Sequence, residues 1–467
     1  MSSLLERMDN APMRPLHRRL AWAAGLGIFL DGYDTVIVGA VLVLLARQWH
    51  LGPSQYRWVG TSALAGAFLG ALMGGHIADR FGRKAIYLID LITFFFAAIL
   101  CGAAWNIYAL VVFRFILGMG IGADYPISAT YMAEFMPKNK RGGVITWTFG
   151  LWTLGAIVAG LVAYSLLSFG PLAWRMMLLI GAVPALLVIW LRRNLPESPR
   201  WYLRHGQAEK AATVLARVNP SITPGELSAI LAAEQKKAIA PETPWRVLFQ
   251  KRFIRATLLV CIPWFIMDLV GYYLTIYTPL ILGHLGFQTA HQQILGSAML
   301  SLTFLLGYVP LALTVDRIGR IWPQIIGFIG SAAALVLVAL TAMHVPVRHV
   351  LVQGHPHWLP QYSTLALALV FLGMMLSQVF NAFGPGNTTY VLASEVYPTD
   401  VRAAGHGFAT AFSRLGAVAS TFFLPVLGKA IGTPKLLLLL AAGSALGGVF
   451  TWLFRVETTN QPLVQEA

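Results

Sequence analysis

The chain has 467 residues, of which 57% are hydrophobic and 11% charged. A soluble domain of this size carries about 25% charged residues, so there is too little charge here to cover a water-facing surface. The net charge of +15 lies between apolar segments, which argues for membrane topology and against a nucleic-acid partner.

Residues 1–19 are polar and basic and lack the short apolar stretch of a cleaved signal. Apolar runs follow near 20–46, 58–78, 85–105, 107–134, 144–168 and 173–191. After a polar segment, 192–255, come further runs near 256–283, 293–314, 321–342, 363–392, 405–428 and 434–454. Such runs have the roughly 20 residues that a helix needs to cross the hydrocarbon core. They do not alternate with period two, and an open sheet in lipid would leave backbone groups unpaired.

The pattern predicts an all-α membrane protein with twelve transmembrane helices in two pseudo-symmetric six-helix halves. Its parts are a tail (1–19), a six-helix bundle (20–191), a central loop (192–255), a second six-helix bundle (256–454) and a second tail (455–467). Between the runs and at their ends, 26 Lys and Arg residues fall on the side of the termini and 6 on the other. This excess predicts cytoplasmic termini and central loop, in a cell inner (plasma) membrane.

Acids interrupt the runs at Asp31 and Asp34 in the first, Asp90 in the third, Asp124 in the fourth and Asp268 in the seventh. A carboxylate is expensive in lipid, so each should face a cavity or a partner. Burial favours the neutral carboxyl, which suits a proton carrier. A helix-packing hydrogen bond is the alternative, and the preferred one for Asp90. Asp31 and Asp34, three apart, share a helical face. Arg114 in the fourth run needs a partner or water, and the nearby Gly118, Gly120 and Gly122 permit close helix packing. Trp264, Asp268 and Tyr272 stand at i, i+4 and i+8 on one face of the seventh run. All three can donate hydrogen bonds to an oxyanion when Asp268 is protonated.

Cys101 and Cys261 lie inside runs and read as small buried residues. His344, His349, His355 and His357, between the ninth and tenth runs, are irregularly spaced and read as solvated loop residues. No metal and no cofactor is expected.

The two halves repeat one another. Asp79-Arg80-Phe81-Gly82-Arg83 follows the second run, and Asp316-Arg317-Ile318-Gly319-Arg320 follows the eighth. Glu134, Pro137 and Arg141 follow the fourth, and Glu395, Pro398 and Arg402 follow the tenth with the same spacing. Glycine allows a tight turn, and the Asp and Arg side chains can pair with neighbouring helix ends. Internal repeats of this kind typify transporters with a substrate site between the halves.

Gly75-x-x-x-Asp79-Arg80-x-Gly82-Arg83-Lys84 and Arg114-x-x-x-Gly118-x-Gly120-x-Gly122 resemble two signatures of the major facilitator superfamily. Leu195-Pro196-Glu197-Ser198-Pro199-Arg200 resembles a hallmark of its sugar porters and their relatives. Its prolines should end the sixth helix and its charges should meet the loop after the fourth. The resemblance implies conformational gating by Gly75, Asp79, Arg80, Gly82, Arg83, Arg114, Glu134, Arg141, Asp316, Arg317, Glu395 and Arg402.

A narrower likeness is carried by Asp31-x-Tyr33-Asp34, Gly122-x-Asp124-Tyr125-Pro126, Trp264-x-x-x-Asp268-x-x-x-Tyr272 and Phe383-Gly384-Pro385-x-Asn387. These are similar to the proton-coupled phosphate symporters of the superfamily. The likeness implies that Tyr125, Trp264, Asp268, Tyr272 and Asn387 bind substrate and that Asp31, Asp34 and Asp124 carry protons. Arg414 falls where that family has a Lys, so an Asp124–Arg414 pair is expected. The chain departs from that family in two places. The stretch Trp147–Trp152 offers no amide where the family supplies a Gln, and Gly386 displaces Asn387 by one residue. Indoles there would make a more aromatic site. The run Asp31–Thr35 equally resembles aromatic-acid–proton symporters.

The expected function is proton-driven import of a small anion, such as phosphate or an organic acid, by alternating access through a monomer in the bilayer. A sugar or aromatic-acid symporter, a proton-driven exporter and a non-transporting receptor stay open. No nucleophile–base pair suggests an enzyme.

Overall fold

The computed structural model describes residues 12–137, 140–218, 225, 245–285, 287, 289–352, 355–360, 362–397 and 399–459. In the first half the helices are α1 (Pro15–Gln48), α2 (Pro53–Phe81), α3 (Arg83–Gly102), α4 (Ile107–Phe135), α5 (Arg141–Leu166), α6 (Ala173–Ile180) and α7 (Ala182–Arg192). Two short helices follow, α8 (Pro199–Arg204) and α9 (Ala208–Val218). The second half has α10 (Ile254–His284), α11 (Ala290–Ile318), α12 (Ile321–Met343), α13 (Thr364–Phe383), α14 (Pro385–Glu395), α15 (Thr399–Ile431) and α16 (Thr433–Phe454). Helices α6 and α7 make one pass broken at Gly181, and α13 and α14 make one pass broken at Gly384, which gives twelve passes among the described residues.

The halves are built alike. Helix α1 packs on α5 as α10 packs on α15, and α2 packs on α4 as α11 packs on α13. A small residue also lets α4 meet α3: a Cβ on Gly120 would lie 2.6 Å from the Asp90 carbonyl on α3. The matching turns after α2 and α11 end on Gly82 and Gly319, with φ of 97° and 87°, a region that favours glycine.

Each turn is capped by a carboxylate. Glu197 accepts from the Arg83 and Lys84 amides at 3.2 and 2.9 Å, and Glu457 accepts from the Arg320 and Ile321 amides at 3.1 and 3.2 Å. Glu197 thus meets the turn after the second span, where the sequence suggested the loop after the fourth. Pro196 does reach α4, through its carbonyl and the Tyr131 hydroxyl. Residues 455–459, expected as tail, pack onto the second-half turn. Burial opposes ionisation of Glu457, but hydrogen bonds from Thr459 and from the amides of Arg320, Ile321 and Thr458 outweigh it and hold the carboxyl below its ordinary range.

The loop expected after α12 contains a two-stranded antiparallel hairpin, Val347–Val352 with His355–Pro360. Pro356 and Pro360 in the second strand hide it from a sequence reading, because proline is rare inside strands. The side chains of His349, His355 and His357 lie outside the described residues, and His344 Nδ1 donates to the Leu340 carbonyl of its own helix at 2.8 Å.

The halves meet at both ends. Toward the hairpin, the Thr61 and Thr421 hydroxyls are 3.0 Å apart and the Tyr277 hydroxyl donates to the Thr421 carbonyl at 2.8 Å. At the other end, the Gly143 amide donates to Asp316 Oδ2 at 2.9 Å. Between them the Tyr308 ring lies against Gly150, and its hydroxyl donates to the Trp147 carbonyl at 2.9 Å.

Candidate functional site

A cavity lies between the halves. The first half lines it with Tyr125 on α4 and Phe149, Trp152 and Thr153 on α5. The second contributes Trp264, Asp268 and Tyr272 from the single face of α10 that their spacing predicts. Phe304, Gln378 and Asn381 complete the wall. Asn387 enters at the broken pass: Pro385 has no amide hydrogen, the helix restarts there, and Gly386 and Asn387 come to the cavity edge.

Arg414 on α15 is the polar centre. Its Nη2 is 3.5 Å from Asp31 Oδ2 in the first half, and its Nη1 is 3.7 Å from Asp268 Oδ2 in the second. It also donates to the Tyr272 hydroxyl, while the Tyr125 hydroxyl donates to Asp31. The guanidinium lies 4.6 Å from the Tyr125 ring centre and 5.2 Å from that of Tyr272. Two buried carboxylates therefore share one buried cation across the domain boundary. Asp268 Oδ2, Asn387 Oδ1 and Arg414 Nε are buried with no hydrogen-bond partner among the described residues. Buried polar groups are normally satisfied, so these three leave hydrogen-bonding capacity beside the cavity that a water or a polar ligand can take up.

The other acids have partners within the first half. Asp34 accepts from Arg114 through both oxygens at 3.1 and 2.9 Å, and Arg114 also donates to the Val59 carbonyl at 3.1 Å. Asp124 does not reach Arg414. It accepts from Arg192 at 2.8 and 3.1 Å, beside Ser128 at 3.0 Å. The reason is helical geometry. Asp124 and Tyr125 are neighbours about 100° apart on α4, so when Tyr125 faces the cavity Asp124 turns into the bundle. Arg192 closes the first-half cluster, with its guanidinium 3.4 Å from the Tyr87 ring centre and Nη1 3.6 Å from Asp90. The sequence placed Arg192 in the central loop; it is the last residue of α7 and fully buried. No local motif announces it, because its partner is 68 residues away.

Of the expected gating residues, Asp316 and Glu395 bind Arg320, at 3.0 Å each, and Thr458 donates to Glu395 at 2.6 Å. Arg402 donates to the Tyr397 carbonyl at 3.2 and 3.0 Å. Arg83 is buried at the capped first-half turn. Arg317 stands exposed. The side chains of Asp79, Arg80, Glu134 and Arg141, and the surroundings of Gly75, lie outside the described residues. Trp152 lines the cavity, whereas Trp147 packs on Trp22 with ring centres 4.7 Å apart. Among the described residues no group of three His, Cys, Asp or Glu side chains is close enough to hold a metal.

Residues 20–466 match the family model described as sugar (and other) transporter. The chain is 34% identical to the inner membrane metabolite transport protein YgcS of Escherichia coli, covering 98% of this chain and 95% of that protein. It is 30% identical to the niacin transporter NiaP of Acinetobacter baylyi (89% and 88% covered) and 26% identical to a probable inorganic phosphate transporter of Arabidopsis thaliana (99% and 96%). Its fold superposes on that of the proton:xylose symporter XylE with a TM-score of 0.78 at 21% identity, over 96% of this chain and 97% of that one.

Proposed function

This chain belongs to the sugar (and other) transporter family of the major facilitator superfamily, and from that premise we propose that it is a proton-coupled symporter importing a small organic anion. The observation that carries the reading is Arg414 held between Asp31 and Asp268 at the cavity. With both acids ionised the trio bears one net negative charge, which repels an anion and is costly to bury. A proton on Asp31 or Asp268 frees the guanidinium for a carboxylate, since Arg presents a planar fork that matches it. Proton and anion then favour the same occluded arrangement, which is the condition for coupling. Release of both on the other side lets Asp31 and Asp268 re-form their pairs.

Asp34 and Asp124 have dedicated arginines in this arrangement, so Asp31 and Asp268 carry the coupling. The residues that bind substrate are Tyr125, Trp264, Asp268, Tyr272 and Asn387. The pairs at Asp316, Glu395 and Arg320 gate the passage. A single chain supplies both cavity walls, which favours a working monomer. The Lys and Arg asymmetry favours cytoplasmic termini, and the relative YgcS favours the inner membrane.

Phe149, Trp152, Trp264 and Phe304 give the cavity apolar walls suited to a planar ring. That favours an aromatic or heteroaromatic monocarboxylate, in keeping with the niacin relative. Inorganic phosphate is the second reading, supported by the phosphate relatives and by the hydrogen-bonding face of α10. Uptake into proteoliposomes under an imposed pH gradient, compared for nicotinate, benzoate, phosphate, gluconate and xylose, tests both. Nicotinate or benzoate uptake above that of protein-free vesicles supports the first. Phosphate alone supports the second, and uptake indifferent to the gradient contradicts symport.

A further inference from the structure

One charged feature of the molecule lies apart from the transport cavity. An open groove lies where the α11–α12 turn meets the start of α10 and the end of α16. Arg255, Arg317 and Arg455 line it, together with Trp322, Trp452 and Glu457. Among the described residues, Arg255 and Arg317 are exposed and have no ion-pair or hydrogen-bond partner. Arg455 contacts its own helix end, donating to the Trp452 carbonyl at 3.1 Å with its guanidinium 5.0 Å from the indole centre.

Glu457, the one acid in the lining, is engaged. Its oxygens accept from the Arg320 and Ile321 amides and from the Thr459 hydroxyl at 2.6 Å. Three cations thus face one committed anion, and the groove is strongly positive.

The surface beside it is apolar and exposed. Leu313 is 76% exposed and Trp322 62%, with Ile326, Ile329 and Leu453 also outward. On a membrane protein these side chains face hydrocarbon, and two indoles at helix ends mark the headgroup level. The arginines therefore stand at the depth of lipid phosphates.

We propose that this groove binds the phosphate of an anionic phospholipid, with the acyl chains lying along Trp322 and Ile325. Guanidinium forks suit a phosphodiester, and basic pockets between transmembrane helices are a recurrent form of headgroup site. A free phosphate would be offered the same cations but would not use the apolar wall. Arg317 lies beside Asp316, which holds the Gly143 amide of the other half. A bound headgroup favours the arrangement in which this turn is ordered and that end is closed.

Native mass spectrometry of the purified full chain in detergent tests the site. Dioleoyl phosphatidylglycerol should be retained well above dioleoyl phosphatidylcholine. Each arginine removed should cost about fivefold in retention, so Arg255→Gln with Arg317→Gln should abolish the preference. Arg255→Lys with Arg317→Lys should keep most of it, and Lys429→Gln with Lys435→Gln, at the opposite end, should leave it unchanged. Equal retention of both lipids, or an unaltered preference in the double Gln variant that elutes as a monodisperse species, overturns the proposal. Displacement of the lipid by millimolar inorganic phosphate assigns the groove to a soluble anion and also overturns it.

Discussion

Arg414 on α15 lies 3.5 Å from Asp31 on α1 and 3.7 Å from Asp268 on α10, so one guanidinium ties the two halves together at the wall of the central cavity. An ion pair across the boundary is remade or lost whenever the halves move, which makes it the natural place for proton and substrate to compete.

Asp31→Asn removes one titratable partner and leaves Arg414 and the aromatic walls. Exchange of substrate across the membrane without a gradient should persist, while uphill uptake driven by a pH gradient should fall by at least about tenfold, or ~1.4 kcal/mol. Counterflow and gradient-driven uptake measured on the same proteoliposomes check the split. Arg414→Ala should lose both.

Arg192 neutralises Asp124 deep in the first half. Arg192→Leu strands two buried carboxylates, Asp124 and Asp90, and should destabilise the protein by about 3–5 kcal/mol, whereas Arg192→Leu with Asp124→Leu leaves only Asp90 without its cation and should recover part of that loss. Thermal unfolding of the two variants in detergent decides the matter. A double variant no more stable than the single would contradict the pairing.

The Thr61 and Thr421 hydroxyls touch across the halves toward the hairpin end. Cysteines at both positions would put two thiols where hydroxyls now stand 3.0 Å apart, close enough to attempt a disulfide across the halves. Oxidation should stop transport by locking that end shut, and a reductant should restore it. Unaltered transport after quantitative cross-linking would show that this end does not open.

Gly319→Ala places a Cβ 2.6 Å from Glu457 Oε2 on a residue with φ of 87°. It should cost about 1–3 kcal/mol in thermal stability, and Gly82→Ala, next to Glu197, should behave alike. The Glu457 cap has its own pH signature. Its carboxyl is held below the ordinary 4.5, so the cap is fully present above that pH and is lost as pH falls through the lowered value. The protection of the Arg320 and Ile321 amides against hydrogen exchange, taken relative to the intrinsic rate at each pH, should hold at pH 5 and fall only in stronger acid.

The twelve passes were legible because lipid demands long apolar runs, and the cavity face of α10 was legible because Trp264, Asp268 and Tyr272 recur every four residues. The partners of the acids were not. Asp124 and Tyr125 are adjacent in sequence but point about 100° apart, and Arg192 looked like a loop cation because it ends its helix inside the bundle. Glu457 was hidden for a different reason: the repeat of Glu197 at the other end of the chain is visible only once both carboxylates are seen capping equivalent turns.

The most direct test of proton-coupled anion import is proton movement itself. Proteoliposomes carrying a lumenal pH reporter should acidify when nicotinate or benzoate is added outside, in step with anion uptake and above the protein-free rate. Asp31→Asn should abolish the acidification. Anion uptake with no accompanying proton, or the same acidification in Asp31→Asn, would contradict the account.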